Sequence, residues 1–287
     1  MQIAHSIEDL RRLLKPASQR TFVPTMGNLH AGHLELVKVA KQTLPEATSV
    51  ASIFVNRLQF APHEDFDSYP RTFANDCSLL EAQGCDVLFA PQEKDLYPEP
   101  QLFKVLPPAE LADILEGAFR PGFFVGVSTV VHKLFNCIQP DVAVFGKKDY
   151  QQLMVIKRMV QQMALPIQIV GVETLRADDG LALSSRNGYL SSEERARAIE
   201  LSGALKHMAV SVRDNLSDNQ SGDASKLITQ IEEQAMQLLR DKGWQPDYLA
   251  VRHQHNLSAV TQFSDAPLVV LGAARLGSTR LIDNLEI

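Results

Sequence analysis

The sequence predicts an α/β chain: a parallel sheet with helices on both faces, followed by a smaller α+β domain. Two observations lead there. Over residues 1–175 short apolar runs alternate with helical patterns, the order expected of βαβ units. After that point the texture changes to two helical patterns and then three consecutive strand-like runs. The change falls near "VETLRADDG" (172–180), which divides the chain into domains 1–175 and 176–287. At 287 residues with 45% hydrophobic and 22% charged side chains, two ordinary domains can each bury a core.

Taken in order, "MQIAHSIEDLRRLLKP" (1–16) reads as a short strand and an amphipathic helix. It lacks the basic, apolar and small-residue order of a secretory signal. Strand-length runs rich in Val, Ile or Phe follow at 20–26, 49–56, 85–91, 141–146 and 167–172. Between them, 33–44, 71–83, 126–138 and 149–164 carry apolar residues at three- and four-residue spacing. Helices are expected at 191–213 and 223–241, joined by the polar "NLSDNQSGDA" (215–224). The strands "PDYLAVRH" (246–253), "PLVVLGAARLG" (267–277) and "TRLIDNLEI" (279–287) complete the second domain.

Composition narrows the function. No apolar run reaches the ~18–20 residues that span a bilayer. Cys77, Cys85 and Cys137 form no CxxC pair and read as free buried thiols in a reducing compartment, so the cytoplasm is expected. A net charge of −6 argues against a general nucleic-acid binder. A nucleotide substrate stays open, because its site needs only a few well-placed cations.

The stretch "FVPTMGNLHAGHLEL" (22–36) places His30 and His33 where a strand turns into a helix. The imidazoles could be packing, a metal site or an anion cradle. A metal would need a third ligand, and nothing nearby offers one at motif spacing. The carboxyl end of a parallel strand and the start of a helix favour an anion, with Gly27 and Gly32 allowing a ligand close to the backbone.

With its neighbours, "PTMGNLHAGH" resembles the HxGH signature of a nucleotidyltransferase superfamily, and in its longer form the pantothenate synthetase family, whose nucleotide-binding domain is Rossmann-like. Four further segments carry the likeness across nearly the whole chain. "SIFVNRLQFAPHEDFDSYPR" (52–71) resembles the stretch that holds pantoate, implying Asn56 and Gln59. "EGAFRPGFFVGVSTVVHKLFN" (116–136) implies Arg120, and "FGKKDYQQLMVIKRMV" (145–160) implies Lys148 on ATP phosphates, Asp149 near both substrates and Gln152 on pantoate. "DDGLALSSRNGYLS" (178–191) implies Ser184, Ser185 and Arg186 on phosphate oxygens, with Ser191 or Ser192 and Glu194 capping the next helix.

The likeness thus implies an AMP-forming ligase that condenses pantoate with β-alanine through pantoyl adenylate, releasing pyrophosphate. His30, His33, Lys148 and Arg186 are the implied catalytic residues. Thr25, Met26, Gly27, Gly146 and Asp149 would join them and the serines around ATP. Mg²⁺ would arrive mainly on the nucleotide, with no protein ligand identifiable, and the smaller domain would be a lid. A homodimer is implied, with neither nucleic acid nor membrane as partner. Three residues depart from the family pattern. Arg57 stands for a common proline, Phe123 for the histidine of "RPGHF", and Lys147 for a frequent glutamate. They suggest a looser loop before Gln59, one polar group fewer beside Arg120, and added charge beside Lys148. The rivals are another HxGH enzyme with a phosphate acceptor and a nucleotide sensor without catalysis.

Overall fold

The computed structural model describes residues 1–61, 64–218, 224–262 and 266–287, the side chains of 216–218 excepted. His63 and residues 219–223 of the expected helix–helix loop lie outside the described residues. In chain order the strands are β1 (Gln2–Ala4), β2 (Arg20–Thr25), β3 (Thr48–Ile53), β4 (Val87–Phe89), β5 (Val142–Gly146), β6 (Gln168–Val172), β7 (Gln245–His253), β8 (Leu268–Leu276) and β9 (Thr279–Glu286). The helices are α1 (Ile7–Leu14), α2 (Ala31–Thr43), α3 (Phe73–Ala82), α4 (Glu93–Leu96), α5 (Ala109–Ala112), α6 (Glu116–Phe119), α7 (Phe123–Ile138), α8 (Tyr150–Gln162), α9 (Ser192–Arg197), α10 (Ile199–Asp218) and α11 (Ser225–Asp241).

Packing gathers these into two compact units. The first holds Met1–Pro108, Arg120–Lys147 and Val155–Leu175. The second holds Ala109–Phe119, Lys148–Met154 and Arg176–Ile287, so it takes two pieces from the middle of the chain.

The first unit is built on a six-stranded sheet ordered β1-β4-β3-β2-β5-β6, parallel at every pairing. Its strands are apolar on both faces because helices cover both. Val23, Ala51, Leu88 and Val144 pack with Leu36, Val37 and Ala40 of α2 and Leu80 of α3. Phe22, one residue from Val23 and so on the opposite face, meets Phe135 of α7 edge-on at 6.2 Å. From β2 the chain steps outward to β3 and β4, and it later returns to place β5 on the other side of β2. The carboxyl ends of β2 and β5 are therefore the switch point, where open α/β sheets bind ligands. Thr25 ends the one strand and Gly146 the other.

The second unit is an antiparallel sheet, β7-β8-β9, covered by α10 and α11. Leu201, Leu205 and Met208 of α10 and Ile228, Ile231 and Leu239 of α11 pack against Val270, Ala274 and Leu281. The end of α11 shows how local chemistry feeds this core. Gly243 takes a left-handed φ of 78°. That lets its N–H reach the Arg240 carbonyl (2.8 Å) and the Trp244 N–H reach the Leu239 carbonyl (3.0 Å), a Schellman arrangement. Trp244 is thereby turned into the core of its own unit, its indole N–H donating to Glu200 at 2.6 Å. At the other end of the helical layer Ser191 and Glu194 form the expected capping box before α9.

Two glycines should respond oppositely to alanine. A Cβ on Gly126 of α7 would lie 2.2 Å from the Leu58 carbonyl oxygen and 2.7 Å from the Gln59 nitrogen, backbone atoms that no rotamer change can move. A Cβ on Gly203, exposed within α10, meets nothing within 4 Å. Gly126→Ala should cost about 1–3 kcal/mol of stability, whereas Gly203→Ala should add about 0.5–1 kcal/mol. Urea denaturation midpoints test the pair; a neutral Gly126→Ala would show that the 57–59 turn does not depend on this contact.

Candidate active site

The loop between β2 and α2 is fixed by two left-handed residues, Gly27 (φ 85°) and Asn28 (φ 51°). This turns successive N–H groups the same way, and one carboxylate fills the concavity they form. Asp76 of α3 accepts from Asn28 N–H at 2.9 Å and Leu29 N–H at 2.8 Å, and from the Thr72 hydroxyl at 3.1 Å. A Cβ on Gly27 would sit 3.1 Å from that carboxylate. The freedom of Gly27 thus serves an internal anion, and the sequence reading missed Asp76, a lone acidic residue in a helical pattern.

The histidines answer a second question left open by the sequence. His30 is the N-cap of α2: its Nδ1 accepts from Gly32 N–H at 3.1 Å, while His33 Nδ1 accepts from His30 N–H at 3.3 Å. A backbone N–H can only donate, so both Nδ1 atoms are unprotonated and the proton of each neutral ring resides on Nε2. The ring centroids are 4.1 Å apart. Each ring thus carries its donor at Nε2, while the N–H groups of Asn28, Leu29, His30 and Gly32 serve the loop itself. Among the described residues no group of three or more His, Cys, Asp or Glu side chains is placed to hold a metal.

Beside this loop, in the same unit, Asn56 and Gln59 are joined to Met26 by a chain of bonds. Tyr97 donates from its hydroxyl to Asn56 Oδ1 (3.2 Å), and Asn56 Nδ2 donates to Gln59 Oε1 (3.1 Å) and the Gly126 carbonyl (3.2 Å). Gln59 Nε2 ends on the Met26 sulfur at 3.2 Å. Burial, then the Glu93 carboxylate, pushes the Tyr97 phenol well above its ordinary range, so it remains a donor. A thioether is a weak acceptor, so the Gln59 amide is the member of the chain most readily drawn to a stronger one. Thr25 turns inward, its hydroxyl donating to Ser52 O at 2.6 Å and accepting from Gly27 N–H at 3.2 Å.

Arg120 forms a two-pronged pair with Glu64 (2.6 and 2.7 Å), donates to the Gln59 carbonyl (3.2 Å) and lies over the Phe123 ring at 3.8 Å. With Gln59 and Phe123 it lines a cavity of about 480 Å³. The three departures from the family pattern each find a partner. Phe123 stacks on Arg120, and Arg57 stacks on Phe66 at 3.8 Å and pairs with Glu93 at 3.3 Å, so the turn before Gln59 is braced without proline. Lys147 pairs with Glu173, which offsets the charge it adds beside Lys148.

The second unit carries the remaining candidates. Lys148 and Asp149 form a 3₁₀ turn with Lys147 before α8, and no described carboxylate pairs with the Lys148 ammonium. Gln152 is half-buried; its neighbour Gln151 is fully engaged, donating to the Leu111 and Ile114 carbonyls and accepting from Glu116 N–H. Ser184 caps a short turn spanning Ser185–Tyr189, its Oγ accepting from Arg186 N–H at 3.3 Å.

Replacing Asp76 by Asn keeps the shape and removes the charge from the cradle. Asp76→Asn should cost about 1.5–3 kcal/mol, the range for hydrogen bonds to charged groups, and should speed amide exchange at Asn28 and Leu29. Unchanged protection of those two amides would refute the assigned role.

A family model described as pantoate-beta-alanine ligase matches residues 2–286. The pantothenate synthetases of Leptothrix cholodnii and Verminephrobacter eiseniae are 59% and 60% identical over the whole of both chains. The crystal structure of a pantothenate synthetase from Thermus thermophilus superposes with a TM-score of 0.89 at 42% identity, covering 99% of each chain. A pantoate-beta-alanine ligase from Francisella tularensis, solved with beta-gamma ATP and beta-alanine, gives 0.73 at 33% identity, covering 99% of this chain and 97% of that one. The family match over residues 2–286 and the likeness over full length to these enzymes make the chain a member of the pantoate-beta-alanine ligase family.

Proposed function

We infer that this ligase joins pantoate to β-alanine in two steps, with the residues named above in definite roles. A pantoate carboxylate oxygen first attacks the α-phosphorus of ATP, and the bond from that phosphorus to the bridging oxygen breaks to release pyrophosphate. The carboxylate is already anionic, so this step needs no general base. The neutral amine of β-alanine then attacks the acyl carbon of pantoyl adenylate, AMP leaves, and the amine proton passes to solvent. The observation that carries the assignment is the tautomer of His30 and His33. Two neutral rings locked as Nε2–H donors can follow charge onto phosphate oxygens without reorganising.

Lys148 and Arg186 supply fixed positive charge, Ser184 and Ser185 short hydroxyl donors, and Asp149 stands near both substrates. Thr25, Met26, Gly27 and Gly146 frame the nucleotide at the switch point. Gln59 exchanges the Met26 sulfur for a pantoate oxygen, and Asn56, held by Tyr97, orients it. Arg120, braced by Glu64, shapes the adjoining cavity on the pantoate side, and Gln152 is a further amide for pantoate. Mg²⁺, carried on the nucleotide, would screen the phosphate charge. The second unit acts as the lid domain that shields the adenylate from water.

Exposed Leu102, Phe103 and Leu106 form an apolar stretch that a second copy of the chain would cover, which supports a homodimer. Three free cysteines support residence in a reducing cytoplasm, and burial pushes the Cys85 thiol up to about 11, which keeps it inert.

Purified protein with ATP, Mg²⁺ and pantoate should release pyrophosphate, and AMP release should rise when β-alanine is added. His30→Ala and Lys148→Ala should each lower the rate of pyrophosphate release by about 10²–10³. Pyrophosphate release that ignores pantoate would point to a different acceptor. Gln59→Ala should raise the KM for pantoate by about 10–100-fold, the worth of a hydrogen bond to a charged group, and leave the KM for ATP unchanged. Equal shifts in both would remove Gln59 from the pantoate site.

A further inference from the structure

We propose that Asn284 on β9 is a positioning residue for adenylate formation: it holds the backbone of Lys148, and its neighbour Asp283 secures the segment that carries Ser184–Arg186. The proposal rests on the roles inferred above for Lys148 and for that segment, and on contacts within the second unit alone.

β9 is an edge strand, paired only to β8 among the described strands. Alternate residues of a strand face opposite ways, and the two faces of β9 differ in kind. On one, Leu281 and Leu285 pack into the core with α10 and α11, and Asp283 lies between them. The other carries Arg280, Asn284 and Glu286, and each of these reaches a piece taken from the middle of the chain. Arg280 pairs with Glu116 at 2.8 Å and with Asp247 at 2.6 Å. Asn284 Nδ2 donates to the Lys148 carbonyl at 2.8 Å, and Glu286 accepts from the Tyr150 hydroxyl at 2.9 Å. A polar face on a strand needs no explanation when it meets water, but Asn284 is 6% exposed and Asp283 5%. Buried amides and carboxylates are retained where partners meet them.

Those partners converge on the candidate site. Asp283 takes a two-pronged pair from Arg176, 2.8 Å at each prong, and Arg176 donates onward to the Asn284 carbonyl (3.1 Å) and the Gly180 carbonyl (3.0 Å). Asp283 Oδ1 also accepts from Asn284 N–H at 2.8 Å. One dipeptide of β9 therefore anchors both the base of the 176–190 segment and the residue whose ammonium is assigned to phosphate. The bond to Lys148 falls on its carbonyl within the 3₁₀ turn before α8, so it fixes where that side chain starts and leaves its charge untouched.

The test is a double-mutant cycle read on pantoate-dependent pyrophosphate release. Asn284→Asp keeps the shape but puts an acceptor against the Lys148 carbonyl. Asn284→Ser, too short to reach that oxygen, guards against simple unfolding, and thermal unfolding is recorded for each. With Lys148 present, either variant should lower kcat by about 10–100-fold, the usual effect of a misplaced catalytic group. In the Lys148→Ala background the same change should cost less than about 2-fold, because nothing is left to misplace. Equal losses in the two backgrounds, or failure of both variants to fold, would assign Asn284 to stability and overturn the proposal. Full activity of Lys148→Ala would overturn the role of Lys148 itself and the proposal with it. A normal loss in Lys148→Ala beside an unaffected Asn284→Ser would overturn the proposal alone.

Discussion

The arrangement at the switch point depends on one buried carboxylate. Asp76, 1% exposed, accepts from two N–H groups and a hydroxyl, which offsets the cost of taking a charge out of water. It holds Gly27 and Asn28 in left-handed conformations, and so sets the angle at which the chain enters α2. That angle makes His30 an N-cap and brings the His33 ring back to the His30 N–H. Because an internal anion fills the concavity, the loop needs no bound phosphate to hold its shape. Donors already in place before charge develops are worth more than donors that must be gathered.

The same logic runs through the amide chain. Asn56 is nearly fully buried and its amide hydrogens serve Gln59 and Gly126, so in the role proposed for it Asn56 acts through Gln59. Gly126 is required twice, as the carbonyl that Asn56 reaches and as the missing Cβ that lets the 57–59 turn approach α7. Main-chain approach, side-chain orientation and a weak terminal acceptor, the Met26 sulfur, thus meet at the Gln59 amide.

Much of this was legible in the sequence, and the part that was not has a common cause. Strands such as Val142–Gly146 and helices such as α2 announce themselves through period and through turn residues, which are local signals. The likeness of "PTMGNLHAGH" and "FGKKDYQQ" to a family singled out His30, His33 and Lys148 for the same reason. Asp76 lies 48 residues from the Asn28 that it serves, Tyr97 41 from Asn56, and Asn284 136 from Lys148. Each is a polar residue of ordinary type whose meaning comes only from its partner. The short α4, α5 and α6, four residues apiece, are too brief to display a period. The reading of Gly27 as a backbone opening could not include Asp76 for a related reason, since the carboxylate beside that glycine comes from α3.

Electrostatics explains why these supports are neutral or already paired. A chain of net charge −6 that must bring two anions together can use only cations whose charge is not cancelled nearby. Arg120 is matched by Glu64, Lys147 by Glu173 and Arg176 by Asp283, so these hold structure first. No described carboxylate pairs with Lys148. In the role proposed for it Lys148 has to be held in position, and a carboxylate on its ammonium would do so at the expense of its charge. An amide on its carbonyl avoids that conflict, just as backbone N–H groups donating to Nδ1 orient the two histidine rings through their acceptor nitrogens.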